Sequence, residues 1–278
     1  MNTDIKLVAL DLDRTTLNSE SHLSEVNRKA LIDAINNGVH VCIASGRAFD
    51  TLPEDVISVP GIEYAITSNG AAIYRIAGKE CLKSYLLTPS SVKTILDLTA
   101  NDTVTYEAFI KGQAFASTEY TAHPEKYGAT EHSLAYVKKT RLLKDDIKGF
   151  ILEHCHELDS LDIVVGDEEL KKDIMDRIRK ATDEVYMTSS ISQLLEISYK
   201  DAGKKSGVKF LTEYLGLSRE NVAAFGDADN DTDMIEYAGV GIAMENAAPH
   251  LKQIADHITL HHDKDGVAYA FRNILNIC

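Results

Sequence analysis

Ile5-Lys6-Leu7-Val8-Ala9-Leu10-Asp11-Leu12-Asp13-Arg14-Thr15 is the stretch on which the fold of this chain turns. Ile5 to Leu10 is an apolar-rich run with one lysine, long enough for a strand and too short for a helix. A continuous apolar run predicts a strand buried on both faces, as in a parallel sheet covered by helices. Two aspartates follow at once. Carboxylates on a loop after such a strand lie where open α/β sheets place their ligands. Alone, Asp-x-Asp also reads as a polar turn or a helix cap, so its meaning depends on what accompanies it.

The flanking segments repeat the rhythm. Ser24 starts a helical pattern with Val26, Ala30, Ala34 and Ile35 on one face, and Gly38 suits its C-terminal cap. Val39 to Ile43 is the next strand, followed by Ser45-Gly46-Arg47. Tyr64 to Thr67 is a third, followed by Asn69-Gly70-Ala71. Strand, helix, strand in this order predicts a βαβ unit. Further on, Ser206 is expected to cap a helix carrying Phe210, Leu211 and Leu215, ended by Gly216. Val222 to Phe225 and Val240 to Ala243 read as strands, Ile258 to Leu260 as a short edge strand, and Gly266 to Ile274 as a last helix.

The middle differs in texture. Longer helical patterns (Ser90 to Leu98, Glu168 to Lys180) alternate with short strand candidates (Ala114 to Ser117, Asp162 to Val165). The expected fold is α/β: a Rossmann-like parallel sheet with helices on both faces, built from residues 1–83 and 191–278. An α+β domain, residues 84–190, is inserted into it.

A hydrophobic fraction of 44% supports a buried core, and no apolar run is long enough to cross a bilayer as a helix. Met1-Asn2-Thr3-Asp4 has neither the basic start nor the apolar stretch of a secretory signal, so a cytoplasmic protein is expected. Cys42, Cys81, Cys155 and Cys278 show no paired spacing, which argues against a disulfide framework or a zinc site. A formal net charge of −14 argues against a nucleic-acid partner. It also means that an anionic substrate needs local positive charge, from basic side chains or a metal.

Ser45-Gly46-Arg47 offers a hydroxyl, an open backbone N–H and a guanidinium, a set able to hold phosphate oxygens or simply to form an exposed turn. Asn69-Gly70 is a strong hairpin-turn signal. In Gly226-Asp227-Ala228-Asp229-Asn230-Asp231, four acidic or amide side chains crowd into five positions. A bound divalent cation would relieve their repulsion, and an all-oxygen set suits magnesium rather than zinc. Lys204 and Lys205 precede the Ser206 helix, where lysines are usually solvated; being poorly placed for its dipole, one of them could instead be there to meet an anion. Each motif follows a strand, so a parallel sheet would gather them in one crevice. Phosphoryl transfer to a carboxylate needs this inventory: a nucleophile, a metal to neutralise charge, a lysine, and a second acid to move protons.

In this order the motifs resemble the haloacid dehalogenase superfamily, specifically its Cof-type phosphatases with a large inserted cap. The resemblance extends to Met234, to Ala243-Met244-Glu245-Asn246-Ala247 and to Asp265-Gly266-Val267-Ala268, and so covers the whole chain. It implies Asp11 as the nucleophile that forms an aspartyl-phosphate, and Asp13 as general acid and base. It implies Mg2+ held by the Asp11 carboxylate, the Asp13 backbone carbonyl and the Asp227 carboxylate. Ser45 and Lys204 would hold the phosphoryl group with Gly46 and Asn230 close by, Arg47 and Asn69 would face substrate, and Asp231 would orient Lys204 or a metal-bound water. The implied substrate is a small phosphorylated metabolite, handled by a monomer or small homo-oligomer, with the cap selecting it.

Glycine is usual in that family where Arg14 and Lys205 stand. If position 14 requires φ > 0, arginine costs about 1–2 kcal/mol. Retention of both aspartates and Thr15 makes a tolerated substitution the expectation, and spacing to Gly207, Val208 and Leu211 favours Lys204 over Lys205 at the phosphate. The same fold would also serve a phosphomutase or phosphotransferase, or a catalytically impaired regulatory binding protein. Tyr120, His123, Lys126 and Tyr127 are polar enough to line a pocket, although surface placement is the plainer expectation.

Overall fold

The computed structural model describes residues 4–129 and 131–278. The chain divides into two units, one made of the segment up to Arg47 with Leu52–Lys83 and Gly203–Cys278, the other of Ala48–Thr51 with Ser84–Ala202.

The first unit starts with β1 (Leu7–Leu10), β2 (His40–Ala44), β3 (Ile62–Thr67), β4 (Ala72–Arg75) and β5 (Glu80–Ser84). The second holds β6 (Thr105–Ile110), β7 (Gln113–Ser117), β8 (Leu142–Lys144), β9 (Leu158–Val164), β10 (Val185–Thr188) and β11 (Leu194–Tyr199). The chain then returns to the first with β12 (Val222–Gly226), β13 (Val240–Ala243) and β14 (His257–Ile258). Among the described residues these strands form two sheets, ordered β14-β13-β12-β1-β2-β3-β4-β5 and β10-β11-β9-β6-β7-β8.

In the first sheet β14 through β3 run parallel and β4 turns back antiparallel to β3. β1 is the strand from which the chain proceeds outward both ways, first to β2 and β3, later to β12 and β13. Leu7, Val8, Ala9 and Leu10 are all fully buried, the burial pattern expected of a central parallel strand. Helices flank the sheet: Glu25–Asn36 packs with Gly266–Asn273, and Lys204–Tyr214 with Thr232–Tyr237.

Ser24 caps the Glu25–Asn36 helix, its Oγ accepting from Asn27 N at 3.0 Å. The buried face is Asn27, Ala30, Leu31 and Ala34, whereas Val26, expected inside, is 43% exposed. Asn27 is taken into the core because both ends of its amide are bonded: Oδ1 accepts from Ala268 N and Nδ2 donates to the Thr16 carbonyl. A second correction concerns the helix assigned to a Ser206 cap. It begins three residues earlier, at Lys204, with Gly203 as its N-cap.

The second sheet is antiparallel apart from the β7–β8 pair. One face carries Tyr106, Ala108, Leu161, Ile163, Leu195 and Ile197, which pack with Val92, Ile95, Ile151, Ile174 and Ile178 from helices Pro89–Leu98, Ile147–Glu153 and Glu168–Ala181. On the other face the register sets Glu107 opposite Asp162, and Asp162 opposite Glu196, all buried. Arg141 pairs with Glu107 at 2.7 Å. Burial, then the carboxylates of Glu196 and Glu107, push the Asp162 carboxyl well above the usual range.

The expected domain end at residue 190 moves to Ala202, because β11 pairs with β9 and β10. Tyr120 and Tyr127 are also reassigned. They are buried edge to face against each other beside Val137 and Val164, while His123 and Lys126 stay on the surface.

Asp159 of β9 shares its face with Leu161 and Ile163, and its Oδ2 has no hydrogen-bond partner among the described residues. Burial pushes this carboxyl up to about 7, against the pull of the Gly112 and Lys111 backbone N–H groups. From about pH 4 to about pH 7 the folded chain therefore keeps a proton that the unfolded chain releases, so this group's contribution to stability falls as pH rises. Asp159→Asn should gain stability relative to the parent across that window, by up to a few kcal/mol, and hold a constant difference above it. Urea unfolding of both proteins over a pH series reads this; a pH-independent difference would refute it.

Candidate active site

Four adjacent strands deliver the candidate residues to one edge of the first sheet. β12 ends in Gly226 and is followed by Asp227, β1 by Asp11, β2 by Ser45, and β3 by Ser68 and Asn69. The parallel registers keep these ends level, with Leu10 beside Phe225 on one side and Ile43 on the other. Asp11 N donates to the Phe225 carbonyl, Ser45 N to the Ile66 carbonyl, and Asn69 N to the Ser45 carbonyl. The loops are thus bonded to the sheet and to one another.

Lys204 lies in the middle, fully buried. Its Nζ donates to Asp11 Oδ1 at 2.7 Å and to Asp231 Oδ1 at 2.6 Å. Lys205, by contrast, is exposed and lies outside the buried cluster. Burial opposes the Lys204 ammonium, but Asp11 and Asp231 outweigh it and hold its pKa above the usual lysine range. Burial pushes the Asp11 carboxyl well up; Lys204 pulls it down, and Asp231 and Asp227 push it further up.

Asp231 is committed through both oxygens. Besides Lys204, it accepts from Asp227 N at 2.8 Å and Ala228 N at 3.0 Å through Oδ2. A Cβ on Gly226 would come within 2.4 Å of the Asp231 Cβ, so glycine permits this close approach. Asp229, grouped with these acids from its spacing, is exposed and pairs instead with His250.

Asn69 and Asn230 meet in the site, Asn230 Nδ2 donating to Asn69 Oδ1 at 3.0 Å. Asn69-Gly70 is also the turn between β3 and β4, so the hairpin and the site readings hold together. The Asn69 carbonyl accepts from Gly203 N at 3.0 Å, which fixes the start of the Lys204 helix. Gly70 has φ +89, and a Cβ there would fall 1.9 Å from the Gly203 carbonyl oxygen.

Asp13, two residues beyond Asp11, is half exposed. Arg47 holds it bidentately, Nε to Oδ2 at 2.8 Å and Nη2 to Oδ1 at 2.7 Å. Arg47 is positioned by its own backbone, N donating to Ser45 Oγ across Gly46 and its carbonyl accepting from Ser68 N. Arg14 adopts φ 62 and ψ 15, the left-handed region usually reserved for glycine. Its Nε lies 3.6 Å from Asp227 Oδ2, and Thr15 Oγ1 lies 3.5 Å from Asp227 Oδ1. Burial, then Asp231, push Asp227 up to about 7 against the opposing charges of Arg14 and Lys204.

Thr16 and Asp233 escaped sequence reasoning, and Asn246 stands there within a motif but without a role. Asn246 Nδ2 donates to the Arg14 carbonyl, Thr16 Oγ1 donates to the Asp11 carbonyl, and Asp233 accepts from the Lys205 backbone N–H. Asp233 does for this helix what Gly203, lacking a side chain, cannot. An aspartate in the first turn of the Thr232–Tyr237 helix carried no signal of that partner.

Asp11, Asp227 and Asp231 each present an oxygen within 4.8 Å of the others. An all-carboxylate set fits a hard divalent cation such as magnesium. With both oxygens of Asp231 occupied, Asp11 and Asp227 are the carboxylates suited to ligate. His261, His262 and Asp263 also cluster, but Ser19 engages both oxygens of Asp263 at 2.7 Å.

A family model described as haloacid dehalogenase-like hydrolase matches residues 8–271. The chain is 31% identical over 272 residues to a Bacillus subtilis protein named 5-amino-6-(5-phospho-D-ribitylamino)uracil phosphatase YcsE, covering 98% of this chain and 96% of that one. It is 30% identical to the B. subtilis phosphatase YwpJ, covering 98% of this chain and all of the other. Its fold matches that of a B. subtilis haloacid dehalogenase-like hydrolase with a TM-score of 0.82 at 27% identity, over 98% of this chain and 100% of that one.

Gly70→Ala should cost at least about 2 kcal/mol, because a methyl group would meet a backbone carbonyl at a positive-φ position. The damage should reach Lys204 through Gly203. Urea unfolding measures the stability, and an unchanged midpoint would contradict this account.

Proposed function

The chain belongs to the haloacid dehalogenase-like hydrolase family, and from that premise we propose that it is a magnesium-dependent phosphatase of small phosphorylated metabolites acting through an aspartyl-phosphate. The observation that carries this reading is Lys204, a buried ammonium bonded to Asp11 and facing the carboxylates of Asp227 and Asp231. A carboxylate can attack a phosphate dianion only if their repulsion is first neutralised.

Asp11 attacks phosphorus, and the bond from phosphorus to the leaving oxygen breaks. Asp13 gives that oxygen its proton, then takes one from the water that hydrolyses the aspartyl-phosphate. Arg47 occupies both Asp13 oxygens, so Asp13 must release at least one of these bonds to reach the leaving oxygen in the first step. Lys204 and Ser45, with the Gly46 loop, Asn69 and Asn230, steady the transferring group. Asp11, Asp227 and the Asp13 backbone carbonyl would hold magnesium, whose chemistry is to neutralise charge on the nucleophile and the phosphoryl oxygens. Asp231 orients Lys204.

The relatives named as phosphatases support a phosphorylated small molecule as substrate, and the name of YcsE makes sugar-like and ribityl phosphates the first class to assay. No helix among the described residues is long and apolar enough to cross a membrane. With the net charge of −14, we place the enzyme in the cytoplasm with no nucleic-acid partner.

Purified protein should release inorganic phosphate from an aryl phosphate with Mg2+ and stop when a chelator is added. Asp11→Asn should abolish turnover, and Asp13→Asn should lower kcat by about 10²–10⁴-fold. Metal-independent turnover, or full activity of Asp11→Asn, would overturn this mechanism.

A further inference from the structure

Arg14 joins a strained backbone to a side chain paired with a carboxylate that the proposed chemistry gives to magnesium. We propose that Arg14 competes with the divalent cation for Asp227: its guanidinium is the exchangeable counter-charge of that carboxylate and yields it when the metal binds. This inference rests on the reading of Asp227 as a magnesium ligand.

The charge pairing singles Arg14 out. Lys204 is committed to Asp11 and Asp231, and Arg47 to Asp13, which leaves Arg14 as the cation set against Asp227. Its hold is also the loosest of the three. Arg47 makes two bonds of 2.8 and 2.7 Å and is 14% exposed; Lys204 is fully buried. Arg14 approaches only to 3.6 Å and is 65% exposed, so it keeps most of its hydration and leaves at little cost.

The backbone beneath it, by contrast, is fixed. The Arg14 carbonyl accepts from Asn246 Nδ2 at 2.8 Å, and Thr15 and Thr16 are buried. Exchange is therefore a movement of the side chain alone. A doubly charged ion on Asp227 would repel the guanidinium at this distance, so the two cations compete for one carboxylate. Glycine would adopt φ 62 without strain and leave Asp227 uncovered. Arginine at this position accordingly weakens magnesium binding and keeps the metal-free carboxylate partly neutralised.

Isothermal titration of Mg2+ into the substrate-free protein tests this on the parent, Arg14→Gln, Arg14→Gly, Arg14→Lys and Asp227→Asn. Arg14→Gln removes the charge and keeps the backbone strain; Arg14→Gly removes both. Both should bind Mg2+ at least about threefold more tightly than the parent, and the gap should shrink as salt is raised. Arg14→Lys restores the charge and should match the parent within about twofold. Asp227→Asn should lose binding. Equal affinity of parent and Arg14→Gln, or tightening by Arg14→Lys as large as by Arg14→Gln, would overturn the role of Arg14 and leave the phosphatase reading intact. Full Mg2+ affinity in Asp227→Asn, or no binding by any variant, would overturn both this role and Asp227 as the magnesium ligand.

Discussion

A buried ammonium held between two carboxylates governs how the rest of this site is built. Taking Lys204 out of water is costly, and Asp11 and Asp231 make its burial tolerable only while all three stay in register. That demand reaches far from the lysine. It requires Gly203 to start the helix with φ +119, and Gly70 to let the β3–β4 turn press against Gly203. It also requires Gly226 to admit Asp231 beneath the end of β12. Three glycines with no side chain of their own thus set the position of this buried ammonium.

The same pair of carboxylates explains how a lysine can occupy the first turn of a helix. The helix dipole disfavours a cation there. Two anions within 2.7 Å outweigh that penalty, and Asp233 takes the backbone N–H that a capping side chain would have satisfied. The conflict between Lys204 and its helix is resolved by charge brought from elsewhere in the chain. In a protein of net charge −14, Lys204, Arg47 and Arg14 are gathered at one sheet edge, each set against carboxylates of the same cluster.

Much of this was legible in the residues. The apolar run before Asp11 predicted a central parallel strand, and the strand-then-motif rhythm predicted where Ser45, Asn69 and Asp227 emerge, because both depend on local periodicity. Features that depend on packing were misread. Val26 was placed inside and Asn27 overlooked, since the hydrogen bonds that admit Asn27 come from Thr16 and Ala268. The inserted unit runs on to Ala202 because strand pairing claims Leu194–Tyr199, and no composition change marks it. The row of Glu107, Asp162 and Glu196 had no linear signal at all: sheet register brings the three together from distant segments.

By itself the sequence determined the parallel core, the order in which its loops meet, and an inventory suited to phosphoryl transfer. It could do so because neighbouring parallel strands present their carboxyl ends side by side whatever the details of packing. The tertiary structure alone decided which charges pair. Lys204, which spacing already favoured over Lys205, pairs with Asp11 and Asp231, Arg47 takes Asp13, and Arg14 lies against Asp227. Lys204 and Asp11 lie 193 positions apart. Pairings over such separations are set by side-chain geometry in the folded state, to which no local pattern in the sequence is sensitive.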